Sequence, residues 1–303
     1  MNTKRQSLFM LDCFYIVMMI LPILAGVVIK VLTTPVSDGI AVAGALIYLR
    51  IPMPLQELLI TESQVNSWLV MISIIGLSLF LTNGMRTRNI TKRQMITEWI
   101  VEKADKLVSD SMGDFFIGFA PFIISIIALS AFSSLLSLFG IYPPTSDVNV
   151  VGGWAMLVFG IITYYKCKCG PMQYIKSFTE PVAILTPMNL ISEIATPISM
   201  AFRHYGNVLS GLVISVLIGY ALKNLSGLVL EWIPGFLGDI PLFQVGLPAV
   251  LSIYFDLFSG CLQAYIFAML TMMYVSGGFP AELYFECQKK KENKIKKEKT
   301  EVM

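Results

Sequence analysis

Apolar residues in this chain fall into long unbroken runs, not the alternating or narrow-stripe patterns of a soluble core. The first run covers residues 9–29, follows Lys4 and Arg5, and is interrupted only by Asp12. A membrane helix needs about 20 mostly apolar residues, so this run is long enough to span. A signal sequence is the other reading of such a run; the helix is preferred because no clear small-x-small cleavage site follows. Residues 39–49 are apolar but short, which suits an interfacial or re-entrant segment better than a full span. Further spans are predicted over 68–81, 115–139, 150–165, 188–222 and 247–275. Tyr142, Pro143, Pro144 and Thr145 end the span before them. Over 94–108 the apolar residues Met95, Ile96, Trp99, Ile100, Ala104 and Leu107 recur at helical spacing among charges, as in an amphipathic helix on the membrane surface.

The charges orient these spans. Arg86, Arg88, Lys92 and Arg93 form one basic cluster and Lys166, Lys168 and Lys176 a second, and the positive-inside rule assigns both to the cytoplasm. The loop with Glu231 and Asp239 holds few cations and is expected outside. Lys289, Lys290, Lys291, Lys294, Lys296, Lys297 and Lys299 make a basic tail, read as cytoplasmic and solvated. Composition agrees: of 303 residues 55% are hydrophobic and 14% charged, with a mean hydropathy of +0.71. The net charge of +2 says little, because the charges are segregated into loops and the two ends, where they report orientation and not a nucleic-acid partner. Cys13, Cys167, Cys169, Cys261 and Cys287 are odd in number and form no CxxC pair, so neither a disulfide framework nor a zinc site is indicated. The chain has one histidine, His204, and no phosphate-binding loop, so no metal, nucleotide or other cofactor is expected on it.

Polar residues inside the predicted spans need a reason. An arginine at a helix centre costs roughly 2.5–3.5 kcal/mol on insertion scales, so Arg203 requires a partner, water or a function. Asn207 lies one turn on, where its amide reaches either the guanidinium or a neighbouring helix. Gly206 and Gly211 would let another helix approach. A static ion pair of Arg203 with Glu193 or Asp256 is the structural alternative. Asp256 and Gln263 are seven residues apart, which on an ideal helix places them within about 20° of one face, suited to lining an aqueous path. His204 points about 100° away from Arg203, so a lipid-interface or packing role is preferred to a proton relay.

The segment Pro197-Ile198-Ser199-Met200-Ala201-Phe202-Arg203-His204-Tyr205-Gly206-Asn207 resembles the P-x-S-x-x-x-R-x-x-G-N signature of F-type ATP synthase subunit a. Pro144-Thr145-Ser146-Asp147-Val148-Asn149 is similar to that family's P-[ST]-x-D-x-N loop, which brings in Asp147 and Asn149. Leu262-Gln263-Ala264-Tyr265-Ile266-Phe267 is similar to its last-helix motif, and Glu98-Trp99 to its E-[WF]-[IV] segment. The resemblance covers about 68–278. It implies a non-catalytic stator with two aqueous half-channels that never join, Arg203 standing between them, and ion translocation involving Asn207, Asp256, Gln263 and Glu193. Implied partners are the c-ring of rotor subunits, the peripheral-stalk subunit b, the rest of the synthase, the lipid bilayer and the transported H⁺ or Na⁺. Many members carry Glu nine residues after the arginine and His seven before the glutamine; here Leu212 and Asp256 stand there, and Asp256 is expected to take the titratable role.

The expectation is therefore an all-α integral membrane protein of about five or six hydrophobic helices, with a long tilted pair near the C-terminus carrying the arginine motif. Residues 1–60 form an N-terminal extension with one possible membrane helix, 61–284 the channel and stator domain, and 285–303 the tail, in a bacterial plasma membrane. A secondary transporter with a midplane charged site is the alternative; the halves show no internal similarity to support it. A membrane-embedded hydrolase is disfavoured, with no HExxH or GxSxG sequence.

Overall fold

A computed structural model describes residues 2–33, 44–54, 57–87, 90–168, 174, 178, 184, 186–230 and 250–279. Arg88, Lys176, the loop bearing Glu231 and Asp239, and the lysine tail lie outside the described residues. Six helical segments are long and apolar enough to cross a membrane: Ser7–Thr33, Glu62–Thr82, Asp114–Phe139, Val148–Lys168, Thr186–Val229 and Val250–Gly277.

The first helix, α1 (Asn2–Thr33), packs along α2 (Glu62–Thr82). Gly76 makes this approach possible: a Cβ there would lie 2.9 Å from the backbone nitrogen of Met19. Each end of the pair is pinned by charge. At the basic end Arg93 meets Asp12 at 3.0 Å, and at the other Lys30 meets Glu62 at 2.9 Å. Between α1 and α2 a hairpin of β1 (Ile47–Ile51) and β2 (Leu58–Thr61) pairs antiparallel. This two-stranded hairpin is a small addition to an otherwise all-α fold. The apolar stretch near 39–49 fits an interfacial segment by length, but a short apolar run does not distinguish a strand from a helix turn.

The amphipathic helix α3 (Lys92–Met112) starts at Thr91, whose side chain accepts from the Gln94 backbone N–H. It runs through a 3-10 segment (Asp114–Phe119) into α4 (Ala120–Leu135), with a second 3-10 segment (Leu136–Phe139) behind it. Helix α5 (Val148–Lys168) leads back to the basic side. Helix α6 (Thr186–Leu230) has 45 residues. At 1.5 Å per residue it is about 68 Å long, over twice the roughly 30 Å of hydrocarbon, so it either tilts or extends past the apolar layer. It continues through Pro197, which gives up one backbone donor. The last span opens with a π-helical segment (Ile253–Ser259) and continues as α7 (Gly260–Gly277).

The main core joins α3, α4, α5, α6 and α7 through Val108, Ile123, Val158, Met200, Phe267 and Met272. Glycine sets the closest contact: a Cβ at Gly260 would lie 2.5 Å from the Ser134 Cβ, so α7 sits directly on α4. The spans exceed the apolar runs because polar residues at their ends are bonded inside the protein. Helix α2 starts at Glu62, six residues before the apolar run, and Glu62, Ser63 and Asn66 are all buried.

Candidate functional site

Helix α6 has two faces. Its buried face runs through Pro197, Met200, Ala201, His204, Gly211 and Ser226, which at about 100° per residue fall within about 100° of one another, as a packed helix face requires. Arg203 lies on the other face. It is exposed, as are Ser199 four residues before it and Ser210 seven after, and it makes no ion pair or hydrogen bond among the described residues. The static Arg–carboxylate pair considered from the sequence is therefore absent among the described residues.

Asn207 bonds the neighbouring helix and not the guanidinium. Its Nδ2 donates to the Ser259 carbonyl at 3.4 Å and its Oδ1 accepts from the Ser259 hydroxyl at 3.0 Å, which ties α6 to the end of the π segment. Gly211 supports the same crossing, since a Cβ there would lie 3.0 Å from the Phe255 Cβ; Gly206 faces open space and has no such part. Asp256 sits within the π segment, partly buried, against the hydroxyls of Ser137 and Ser252. Gln263 is buried, four residues beyond Ser259 and so on the same side of the helix. The ideal-helix phase between Asp256 and Gln263 does not carry over, because a π turn advances less per residue than an α turn.

Glu193 occupies another region. Both its oxygens accept from Lys166 Nζ, at 2.6 and 2.8 Å, and the Tyr174 hydroxyl lies 3.4 Å away. The pair lines a cavity of about 250 Å³ with Thr196, Pro197, Tyr274 and Gly278, at the basic end of α5. At the opposite end of α5 a second cavity, of about 200 Å³, is lined by Gln64, Ser67, Trp68, Ser133, Val150 and Trp154. The two cavities share no residue.

Beyond the second cavity lies the 144–149 loop. Asp147 caps α5, accepting from the Asn149 backbone N–H at 2.9 Å, and it also accepts from the Ser63 hydroxyl. The Asn149 side chain is exposed. Asn66 Nδ2 donates to the Tyr142 carbonyl at 2.8 Å. Burial pushes the Tyr142 phenol above its usual range, with Asp147 adding to the shift.

His204 lies wholly inside the protein, which removes the lipid-interface reading and leaves packing. Lys166 and Ser259 join the candidate site through their bonds to Glu193 and Asn207, and neither was singled out from the sequence. Lys166 entered only as a marker of orientation. Ser259 had a usable signal, its four-residue spacing from Gln263 on one helix face.

A helical membrane protein that presents on one face of a long span an arginine with no partner among the described residues, with separate cavities at the two ends of α5, fits the ion-translocating class. The sequence pattern of the ATP synthase A chain family matches residues 64–276. Among curated relatives, ATP synthase subunit a of Bacillus pumilus is 31% identical over 225 residues, covering 68% of this chain and 89% of the relative. ATP synthase subunit a 1 of Crocosphaera subtropica is 29% identical over 223 residues, covering 71% and 85%. The sodium ion specific subunit a of Propionigenium modestum is 28% identical over 244 residues, covering 75% and 77%. The chain belongs to the ATP synthase A chain family, whose members are ion-translocating, non-catalytic membrane subunits of the F-type ATP synthase, and the secondary-transporter alternative is not favoured.

Proposed function

We propose that Arg203 is the fixed stator charge past which the rotor carboxylates of a c-ring move, with the cavities at either end as parts of two half-channels for H⁺ or Na⁺. The observation that carries this reading is the exposed guanidinium on the stripe Ser199, Arg203 and Ser210, with no ion pair or hydrogen bond among the described residues. A permanent charge with no such partner in a membrane-spanning helix invites one from outside the chain. A passing carboxylate is that partner, and a ring of them keeps the site in use through every step of rotation.

The outer passage enters near Asp147 and the cavity lined by Gln64 and Ser133, with Asp256 as its titratable group beside Ser137. The inner passage is the cavity of Glu193 and Lys166, which opens on the cytoplasmic side. Asn207, Ser259 and Gln263 stand between the two and fix α6 against the last span. In this reading residues 61–284 form the channel and stator domain, 285–303 the cytoplasmic tail, and the 1–60 extension packs through α1 on α2. The peripheral-stalk subunit b docks elsewhere on the helical bundle.

The test is ion transport by the assembled complex in sealed vesicles. Glu193→Gln leaves the Lys166 ammonium without its counter-charge and removes the one carboxylate described in the inner cavity. Coupled pumping is expected to slow on the order of threefold, through loss of proton transfer and of a charge-assisted bond. Pumping at the unaltered rate would remove the inner cavity from the path.

A further inference from the structure

The side chain next to Arg203 is left without a role by the reading above. His204 is the one histidine of the chain, and its relative exposure is 0%. Its imidazole meets three helices at once. Nε2 lies 3.1 Å from the Ser130 hydroxyl of α4. The ring stands edge-on to Trp154 of α5 at 6.1 Å between centroids and to Phe267 of α7 at 5.6 Å. Ser130 is also 0% exposed, so the bond is sealed from water and lipid. The other ring nitrogen, Nδ1, has no hydrogen-bond partner among the described residues.

An apolar side chain of similar size would fill this pocket and leave no buried nitrogen unpaired, so the imidazole is a costly filler. What it supplies is direction. Ridge-into-groove packing sets helix geometry only to within about 15–20°, which leaves room for directional bonds to refine it. The Asn207–Ser259 bonds tie α6 to the last span, and the buried bond of His204 to α4, with flat rings on the other two sides, adds a second anchor that selects one setting. Arg203 is the preceding residue, about 100° around the helix, so the angle that seats His204 inside also fixes the guanidinium outside.

We infer that His204, bonded to Ser130, is a positioning residue that sets the rotation of α6 and thereby aims Arg203 at the rotor. The inference rests on the proposed role of Arg203 for its effect on pumping, but not for its effect on the helix. The ring nitrogen in use makes a sharp test possible. Gln places its amide nitrogen near the position of Nε2 and retains a donor to Ser130; Asn places its amide near Nδ1 and falls short.

In assembled complexes His204→Asn and Ser130→Ala are each expected to lower ATP-driven ion pumping about tenfold, as misplacement of a reacting group does, while His204→Gln stays within about twofold. The double variant Ser130→Ala/His204→Asn should pump no worse than the weaker single variant, because both remove one bond. A second readout bypasses the rotor: a cysteine at Ser199 on the Arg203 stripe and one at Ala201 on the buried face, each on a background without native cysteines. With His204→Asn, labelling at 199 by a membrane-permeant thiol reagent should fall and labelling at 201 should rise.

The inference is overturned if His204→Asn leaves the labelling ratio unchanged, or if its pumping per assembled complex equals that of the parent while Arg203→Ala abolishes pumping. It is also overturned if His204→Gln loses as much as His204→Asn. A shifted labelling ratio with normal pumping by both His204→Asn and Arg203→Ala would instead retain the rotational role of His204 and refute the role of Arg203.

Discussion

Complexes carrying Arg203→Ala are expected to assemble normally and to pump no ions when supplied with ATP. Assembly survives because the guanidinium makes no ion pair or hydrogen bond among the described residues, so truncation leaves no partner stranded in the bundle. Pumping fails because the charge acts on a passing carboxylate. At about 4 Å and an effective dielectric near 20, a permanent cation favours the ionised acid by roughly 4 kcal/mol, or nearly three orders of magnitude in the release equilibrium. Without it the acid retains its ion across the boundary between passages, and ions leak from one passage to the other without turning the rotor. Arg203→Lys should not restore full function. Its ammonium is a compact point charge whose proton can be lost on burial, whereas the guanidinium stays charged and spreads its donors across a plane. Full coupled pumping by Arg203→Ala, measured as acidification or ion uptake in sealed vesicles, would refute the role assigned here.

The second large effect is expected at Asp256. The Asp256→Asn variant should transport ions at least tenfold more slowly than the parent, as loss of a positioned acid–base group does, while Cys261→Ser is expected to stay close to the parent rate. The comparison is chosen for position. Cys261 is five residues further along the same span and exposed, so it controls for disturbance of the last helix without touching the hydroxyls of Ser137 and Ser252 that meet Asp256. The π segment sharpens the expectation. It widens the helix where Asp256 stands and places the carboxyl against the end of α4, where an acid can exchange an ion with the outer passage. Equal rates for the two variants would remove Asp256 from the path.

Much of this was legible in the residues. Arg203 announced itself because a permanent charge in an apolar helix is expensive, and the spans followed from run length. Pairings across the chain were not legible. Glu193 finds Lys166 across 27 residues, and Asn207 finds Ser259 across 52, distances over which no periodicity speaks. Helical phase gave the angle between Arg203 and His204 but not which of the two faced inward. That choice is made by Ser130, Trp154 and Phe267, on three other helices. The π segment was hidden for a related reason. Residues 253–259 read as an apolar helix with one acid, and the contacts that accompany the wider turn, Phe255 against Gly211 and Ser259 against Asn207, are made to a distant helix. The β1–β2 hairpin was beyond reach of an eleven-residue apolar stretch whose length fits several interfacial structures.

The central claim concerns what stands opposite the Arg203 stripe. The direct measurement is disulfide cross-linking in the intact complex, between a cysteine placed at Ser199 or Ser210 and one placed beside the carboxylate of the rotor subunit. The account predicts a cross-linked product from both stripe positions, spread over the ring's subunits as ATP turns it, and none from Ala201 on the buried face. A product from Ala201 with none from 199 or 210 would place the arginine on the wrong side of its helix and contradict the account.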